Sequence, residues 1–290
     1  MLGEHTVLHG SAAYAVPLRR FSARIDVRNP EAGQHQLPTG EGIHASFDFE
    51  KWVAFAKTSE TLANALDFQR WESEAAQLGV FADIPIGYGL GSSGAITAAA
   101  YVRYVIEPAT DLSVLRAQLA AMECFFHGKS SGLDPLVSYL NKAVYISPTG
   151  SIEPVEVDHA FPSFEEEGGW FLVDSGQPRA GKDAISRFGE SCKDDRWRSE
   201  VLAPMTELVE QLAVGMKTQT FTGLSPKLKE LSKLQLCELG FLIPSHIAAL
   251  WSEWLQNGSA YLKLCGAGGG GFFLGYAPIR SEIKLEVIWL

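Results

Sequence analysis

The sequence predicts a mixed fold of helices and strands divided into two domains. Residues 21–27 and 43–49 alternate apolar and polar side chains, which is the period of a half-buried strand. Residues 112–126 instead repeat apolar side chains at steps of three and four, the period of an amphipathic helix. With 290 residues, 46% of them hydrophobic, the chain is long enough for one large or two modest domains.

The domain boundary is predicted from a change in composition. Residues 147–169 are rich in proline, acidic residues and glycine, unlike the segments on either side. We therefore predict an N-terminal domain over residues 1–155 and a C-terminal domain over residues 156–290.

The composition argues against several classes of protein. A net charge of −10 disfavours a nucleic-acid or anionic-membrane surface, and no apolar run approaches the twenty residues of a membrane span. The acidic Glu4 argues against a signal peptide. The scattered cysteines form no CxxC pair, so we expect neither a metal knot nor a disulfide framework: Cys124, Cys192, Cys237 and Cys265. The predicted setting is reducing and cytoplasmic. The sequence does not fix the oligomeric state, and a homodimer is one of the states that it allows.

In the first half of the chain, periodicity predicts two helices and a further strand. A helix over residues 50–68 would bury Trp52, Phe55, Leu62 and Leu66. A strand over residues 78–84 follows. The second helix begins after Asp111, a residue type that caps helix starts, and its apolar stripe is Leu112, Leu115, Leu119, Met122 and Phe126.

In the second half, helices are predicted between short strands. A buried strand covers residues 170–173, and two more surround a glycine loop within residues 261–276. Helices are expected from the 190s to Lys217, over residues 226–239 with Ser225 as cap, and over residues 246–256.

Residues 83–102 form the segment that is most informative about function. Glycines at four positions let the backbone adopt positive φ and approach a ligand closely: Gly87, Gly89, Gly91 and Gly94. An alanine-rich helix follows, and the amide groups and partial positive charge at its start favour an anion. The segment is therefore predicted to bind phosphate.

Other interpretations of this loop are weaker. Gly89, Gly91 and Gly94 spell the dinucleotide fingerprint GxGxxG, but Pro85 interrupts the preceding strand and no acidic residue stands about twenty positions further on. A Walker A loop would need a lysine beside the serines. A glycine turn before a buried helix remains the structural alternative.

The loop resembles a known family. The run PIGYGLGSSGA from Pro85 is similar to the second motif of the GHMP kinases, PxxxGLGSSAA, which embraces the phosphates of ATP in galactokinase, homoserine kinase, mevalonate kinase and phosphomevalonate kinase. The resemblance implies ATP and Mg²⁺ as cofactors, with Ser93 as a magnesium ligand. It implies phosphate contacts from Gly87, Gly89, Leu90, Gly91, Ser92, Ser93 and Gly94.

A second segment resembles the mevalonate kinases within that family. HGKSSGLDPLVS, from His127, is similar to HGxPSGxDxxVS, and the family's magnesium-binding Glu stands eleven residues before its catalytic Asp, the spacing of Glu123 and Asp134. The resemblance implies Asp134 as catalytic residue and Glu123 as magnesium ligand. From the residues alone, Glu123 could be a salt-bridged surface carboxylate and Asp134 a helix cap. Glu123 also lies at the edge of an apolar helix face, where an unpaired carboxylate would be costly.

The chain start and the late glycine loop resemble the remaining motifs. Gly3, Glu4 and His5 match the GEH of PGKxxLxGEHxVxxG, and KLCGAGGGG from Lys263 is similar to KxTGAGGGGC. The implied substrate contacts are Glu4, His5, Gly268 and Gly269. The match starts after PGK, so either the chain is truncated or another cation, such as Lys129, replaces that lysine. PRAG at residues 178–181 lacks the hydroxyls of the family's PRST turn.

Together these motifs imply a two-lobed α+β GHMP kinase fold. Its N-terminal lobe would contain a left-handed βαβ crossover, an exception to the usual hand, and its C-terminal lobe would be ferredoxin-like, with ATP and acceptor meeting in the cleft. The implied function is transfer of the γ-phosphoryl group of ATP to a primary hydroxyl, mevalonate to 5-phosphomevalonate in isoprenoid biosynthesis. The alternatives are another acceptor, phosphomevalonate or a sugar, and an inactive ligand-binding paralogue.

Overall fold

The structure is a computed structural model that describes residues 2–28, 42–44, 47–157, 159–179 and 183–290. Its helices are α1 (Phe49–Ala56), α2 (Phe68–Glu74), α3 (Ser92–Tyr104), α4 (Leu112–His127), α5 (Leu133–Leu140), α6 (Asp183–Ser191), α7 (Asp195–Trp197), α8 (Ala203–Lys217), α9 (Leu224–Glu238) and α10 (Ser245–Asn257). Its strands are β1 (Ala13–Ala15), β2 (Ala23–Val27), β3 (Gly42–His44), β4 (Leu78–Ala82), β5 (Ala143–Ile146), β6 (Ile152–Val155), β7 (Gly169–Asp174), β8 (Tyr261–Leu264), β9 (Phe272–Ala277) and β10 (Ile288–Trp289). The predicted α+β class is confirmed.

Contacts divide the chain into two compact units. The first unit contains Met1–Val16, Gly87–Leu90 and Ala143–Leu290, and the second contains Pro17–Ile86 and Gly91–Lys142. The contacts thus group the chain start with the C-terminal half. The predicted boundary at residue 155 concerns the two lobes of the family fold, whereas these units are defined by contacts. That boundary stays a prediction.

The second unit is built on the antiparallel sheet β2-β4-β3, against which α3 packs. Five large aromatic side chains with at most 1% exposure form its core: Phe49, Trp52, Trp71, Tyr101 and Tyr104. The indole of Trp71 stacks on Tyr104 with ring centroids 5.0 Å apart, and the indole N–H of Trp52 donates to the Met122 carbonyl at 3.0 Å. This core fixes α1 and α2 against the helices that carry the predicted site residues.

Two predictions for the second unit need correction. The strand expected over residues 43–49 is β3, which ends at His44; residues 45 and 46 lie outside the described residues, and Phe49 already begins α1 because the Asp48 side chain accepts from the Lys51 amide at 2.9 Å. The helix expected over residues 50–68 ends at Ala56. Asp67 caps the separate helix α2.

Burial in these segments also differs from the prediction at particular residues. Trp52, Leu62 and Leu66 are buried as predicted, but Phe55 is 37% exposed. Of the alternating residues in β2, Ile25 is buried whereas Val27 is 42% exposed. The predicted cap at Asp111 is confirmed, since its carboxylate accepts from the Ser113 and Val114 amides at the start of α4.

The first unit contains two antiparallel sheets, β1-β5-β6 and β10-β7-β9-β8. Counted along the chain, the four strands of the larger sheet have the spatial order fourth, first, third, second, which is the order of a ferredoxin-like sheet. The predicted C-terminal strands are therefore present, with the glycine loop between β8 and β9. Every strand pairing in the described residues is antiparallel, and the left-handed crossover stays a prediction.

One helix of the first unit starts earlier than predicted. Helix α9 begins at Leu224, with Gly223 as its N-cap at φ +77°, while Ser225 lies buried inside the first turn. The predicted cap at Ser225 is therefore wrong, because glycine provides the turn into the helix without a capping side chain. No helix in the described residues is long and apolar enough to cross a membrane.

Candidate active site

The start of α3 and the start of α5 pack against each other in the second unit. Helix α3 is entered through Gly91 at φ +74°. A Cβ atom at Gly94 would lie 2.7 Å from Asp134 Cβ and 2.8 Å from the Pro135 nitrogen, and a Cβ at Gly91 would lie 3.4 Å from Asp134 Oδ2. Glycine at these two positions therefore allows the Asp134 carboxylate to lie beside the first turn of α3. That turn exposes amide groups and a partial positive charge.

Glu123 lies on α4 and is held by hydroxyl groups from two directions. Ser93 Oγ donates to Glu123 Oε1 at 2.8 Å, and Ser130 Oγ donates to the other carboxylate oxygen, Oε2. The glutamate is only 5% exposed. Both oxygens of a buried carboxylate are thus hydrogen-bonded, which offsets much of the cost of burying it.

Burial raises the pKa of Glu123 above its ordinary value, while the hydrogen bonds from Ser130 and Ser93 act in the opposite direction. Desolvation is the larger effect and disfavours the ionised carboxylate, so a cation beside Glu123 would lower its pKa again by stabilising that charged form.

The donor set fits a magnesium ion. Ser93 and Glu123 offer hard oxygen ligands at hydrogen-bond distance from each other, and Mg²⁺ in kinases takes one or two carboxylates and completes its shell with phosphate and water. Within the described ranges, no set of three or more His, Cys, Asp or Glu side chains could hold a metal by protein ligands alone. The residues therefore suit an ion that is shared with a nucleotide.

The remaining loop residues belong to the first unit. Gly87–Leu90 is bonded backbone to backbone to two other segments: the Phe272 amide, directly after the late glycine loop, donates to the Tyr88 carbonyl at 2.9 Å, and the Arg179 amide, in the segment after β7, donates to the Gly87 carbonyl at 3.0 Å. A Cβ at Gly89 would lie 2.8 Å from the Cys265 carbonyl oxygen. Close approach of the two backbones explains why glycine stands here.

Gly268 and Gly269 have a visible structural role. The Gly269 amide donates to the Leu242 carbonyl at 2.6 Å, and a Cβ at Gly268 would lie 3.0 Å from Leu242 Cβ. These contacts fix the glycine loop on the segment before α10. The expectation that both glycines contact substrate stays a prediction.

The side chains of Glu4 and His5 are buried in the first unit. The Glu4 carboxylate, 3% exposed, pairs with the Lys263 ammonium, which is fully buried and also donates to the Leu264 carbonyl at 2.6 Å. His5 stacks on Phe188 with ring centroids 4.7 Å apart, and neither ring nitrogen has a hydrogen-bond partner among the described residues. Their predicted substrate contacts stay predictions.

Burial lowers the pKa of His5 from 6.5 to about 4. The charge of Glu4 acts to raise the value, and the charges of Lys263 and His9 act to lower it. Desolvation of the imidazolium is the largest effect, so His5 is neutral at physiological pH.

The structure thus brings together Gly91, Ser93, Glu123 and Asp134 in the second unit. It brings Gly87, Gly89 and the late glycine loop together in the first unit. Sequence reasoning missed Ser130 as a partner of Glu123 and Lys263 as a partner of Glu4. The sequence did contain one signal for Ser130, because a residue with a hydroxyl stands there in place of the proline of the family pattern.

An open groove of 610 Å³ in the second unit lies away from these residues. It runs along β2, α3 and α5, and none of the predicted site residues lines it. Three arginines contribute to its wall: Arg19, Arg24 and Arg103.

Comparison with known proteins agrees with the predicted family. Residues 55–142 match the family model described as GHMP kinases N terminal domain. Two curated relatives, the mevalonate kinases of Pyrococcus horikoshii and Pyrococcus abyssi, are each 25% identical to the chain, over 97% of this chain and 87% of the relative.

Solved structures share the fold. The mevalonate kinase of L. major in complex with R-mevalonate matches with a TM-score of 0.62 and 14% identity, over 97% of this chain and 85% of that one. Lactococcus lactis galactokinase complexed with galactose matches with a TM-score of 0.56 and 13% identity, over 96% and 82% of the two chains. At these identities the likeness concerns the fold, which is that of the GHMP kinases.

Proposed function

We propose that the chain is a GHMP kinase that transfers the γ-phosphoryl group of ATP to a primary alcohol, since residues 55–142 match the family model described as GHMP kinases N terminal domain. The proposed acceptor is mevalonate, and the proposed product is 5-phosphomevalonate.

One observation carries the proposal. Ser93 and Glu123 lie within a hydrogen bond of each other, and the Asp134 carboxylate lies beside the same first turn of α3. Phosphoryl transfer needs anion-binding amides, an oxygen-rich cation site and a carboxylate that orients the attacking hydroxyl. All three features come from residues 91–134 of the second unit.

In the proposed reaction, Asp134 accepts a hydrogen bond from the acceptor hydroxyl and orients it in line with the γ-phosphorus. An alcohol is about ten pKa units less acidic than a carboxylic acid, so Asp134 takes the proton late, after the bond to the leaving phosphate has largely broken. Positioning is therefore its first task.

The residues around the phosphates would stabilise charge. The amides of residues 91–94 would donate to phosphate oxygens, and Ser93 and Glu123 would hold the ion. Bound Mg²⁺ supplies neutralisation of the β- and γ-phosphate charge.

Mevalonate is favoured over other acceptors by two segments. The GEH turn at Gly3, Glu4 and His5 follows the mevalonate kinase pattern, and the run around Asp134 follows it at every fixed position except Ser130; the curated relatives carry that name. The altered turn at residues 178–181, which lacks the hydroxyls of the family's PRST turn, is a feature that favours an inactive ligand-binding paralogue. The cytoplasmic setting stays a prediction.

An acceptor panel tests the proposal. We expect ATP consumption with mevalonate to exceed that with phosphomevalonate, galactose and homoserine in kcat/KM. A higher kcat/KM for a sugar or a phosphorylated acceptor would reassign the substrate within the family. ATP binding without turnover on any alcohol would favour the inactive paralogue.

A further inference from the structure

Ser130 occupies a position that the resemblance to the mevalonate kinases does not explain. The family pattern HGxPSGxD has proline where this chain has Ser130. Proline has neither a hydroxyl nor a backbone N–H. Here the hydroxyl donates to Glu123 Oε2, seven residues earlier in the chain, and accepts from the Gly132 amide at 2.8 Å. A serine hydroxyl has one hydrogen to donate, so this geometry commits that hydrogen to Glu123.

The loop that carries Ser130 is fixed against α4. Gly132 has φ +71°, and a Cβ atom there would lie 2.5 Å from the Arg116 carbonyl oxygen and 2.9 Å from Ala120 Cβ. The backbone of Gly132 is therefore seated directly on α4, the helix that also carries Glu123. Ser130 is in turn bonded to the Gly132 amide, so its hydroxyl is positioned by rigid neighbours rather than by a free side chain.

The two serines bond different oxygens of the Glu123 carboxylate. Ser93, the second serine of the predicted phosphate loop, donates to Oε1. Ser130, in the loop between α4 and α5, donates to Oε2. Hydrogen bonds to a ligating carboxylate fix its orientation and tune its affinity for metal. An ion beside Ser93 would meet Oε1 of a glutamate whose other oxygen is already held.

We infer that Ser130 is a positioning residue for the magnesium site, holding Glu123 Oε2 so that Oε1 and Ser93 face the ion together. The inference rests on the proposed kinase function and extends it to a residue at which this chain departs from the family pattern. Ser130 acts through Glu123 and does not itself contact the acceptor.

Equilibrium binding provides a test that does not depend on turnover. Binding of a non-hydrolysable ATP analogue is measured by calorimetry at increasing Mg²⁺ for the wild type, Ser130→Ala, Ser130→Thr and Ser131→Ala. We expect Ser130→Ala to raise the Mg²⁺ concentration for half-maximal enhancement on the order of tenfold, with Mg²⁺-free nucleotide affinity unchanged. Ser130→Thr keeps the hydroxyl and should stay close to the wild type.

Ser131→Ala is the matched control. Ser131 is the adjacent serine, is exposed, and accepts from the Leu133 amide at 3.3 Å without touching Glu123. Its removal should leave the Mg²⁺ dependence unchanged. If Ser130→Ala folds poorly, Ser130→Cys offers a near-isosteric weak donor and should give a smaller shift in the same direction.

The outcomes separate the inference from the proposed function. A wild-type Mg²⁺ dependence in Ser130→Ala, or an equal shift in Ser131→Ala, overturns the role of Ser130. A wild type in which Mg²⁺ does not enhance nucleotide binding overturns it as well. If the Mg²⁺ response depends on Ser130 but the protein phosphorylates no alcohol, the positioning role of Ser130 is supported and the proposed reaction is overturned.

Discussion

Asp134 and Glu123 are carboxylates near one helix start, yet their surroundings differ. Glu123 is 5% exposed and both of its oxygens accept from serine hydroxyls, while Asp134 lies in the first turn of α5 against the backbone of Gly91 and Gly94. The buried, hydroxyl-bound carboxylate suits a cation ligand. The carboxylate at the helix start suits the orientation of an attacking hydroxyl.

Asp134→Asn should therefore abolish most turnover without abolishing nucleotide binding. The amide keeps the size of the side chain but cannot accept the proton, so we expect kcat to fall about a thousandfold while the Kd of MgATP changes less than about threefold. Steady-state kinetics and calorimetric titration measure the two quantities.

Two comparisons control this prediction. Glu123→Gln should instead raise the Mg²⁺ requirement about tenfold, and Ser93→Ala should resemble it. Asp111→Asn alters an exposed helix cap on α4 and should leave the kinetics unchanged. Near-normal kcat in Asp134→Asn would refute the assignment of the base.

The pair of Glu4 and Lys263 is the second residue-scale feature with a measurable consequence. Lys263 is fully buried and Glu4 is 3% exposed, so removing one charge leaves the other without compensation in the interior. Lys263→Met should lower the free energy of unfolding by about 3 kcal/mol, and Glu4→Gln/Lys263→Met should cost less than the sum of the single changes. Urea unfolding measures these differences.

Lys193→Met serves as control, because Lys193 pairs with Glu190 on the surface with the lysine 72% exposed. That change should cost at most about 0.5 kcal/mol. Additive effects at Glu4 and Lys263 would contradict a coupled buried pair.

At the scale of elements, the approach of α3 to α5 depends on one missing side chain. Gly94→Ala would place a Cβ atom 2.7 Å from Asp134 Cβ and 2.8 Å from the Pro135 nitrogen, and neither neighbour is the flexible end of a side chain. We expect a loss of stability of about 1 to 3 kcal/mol, although alanine by itself favours a helix over glycine by about 1 kcal/mol. The kcat should fall as well, because Asp134 must move.

Gly189→Ala is the matched control, since Gly189 lies inside α6 and a Cβ there meets nothing within 4 Å. This substitution should be neutral or should stabilise the protein by up to about 1 kcal/mol. Thermal melting of both variants gives the comparison. A Gly94→Ala protein with unchanged melting temperature and kcat would show that α3 and α5 do not need this approach.

At the scale of the whole molecule, the lowered pKa of His5 predicts how the free energy of unfolding depends on pH. Its pKa is lowered to about 4 in the folded chain, against 6.5 as the ordinary value. As the pH falls, the unfolded chain takes up the proton first, so stability is kept above about pH 6.5 and is lost as the pH falls towards 4. One group of this kind removes about 2 kcal/mol between pH 7 and pH 5.

His5→Phe should flatten that dependence, because phenylalanine keeps the stacking on Phe188 and carries no proton in this range. The free energy of unfolding, measured by urea at pH 7 and pH 5, should fall by about 2 kcal/mol less in the variant than in the wild type. Equal losses in the two proteins would mean that His5 does not remain buried and neutral.

The chain by itself determined the local features. The cap at Asp111 and the two strands around the late glycine loop depend on residues close together in sequence. Hydrogen bonding within a turn and the periods of helix and strand act over such short distances, so these features can be predicted without the fold.

Tertiary packing decided the contacts between distant residues. No local pattern joins Glu4 to Lys263, which are 259 positions apart, or requires Gly94 to face Asp134. Periodicity also predicted burial of Phe55, which is 37% exposed in the last turn of α1. Which side chains meet depends on how whole elements bury their apolar faces, and that free energy belongs to the assembled core rather than to any one segment.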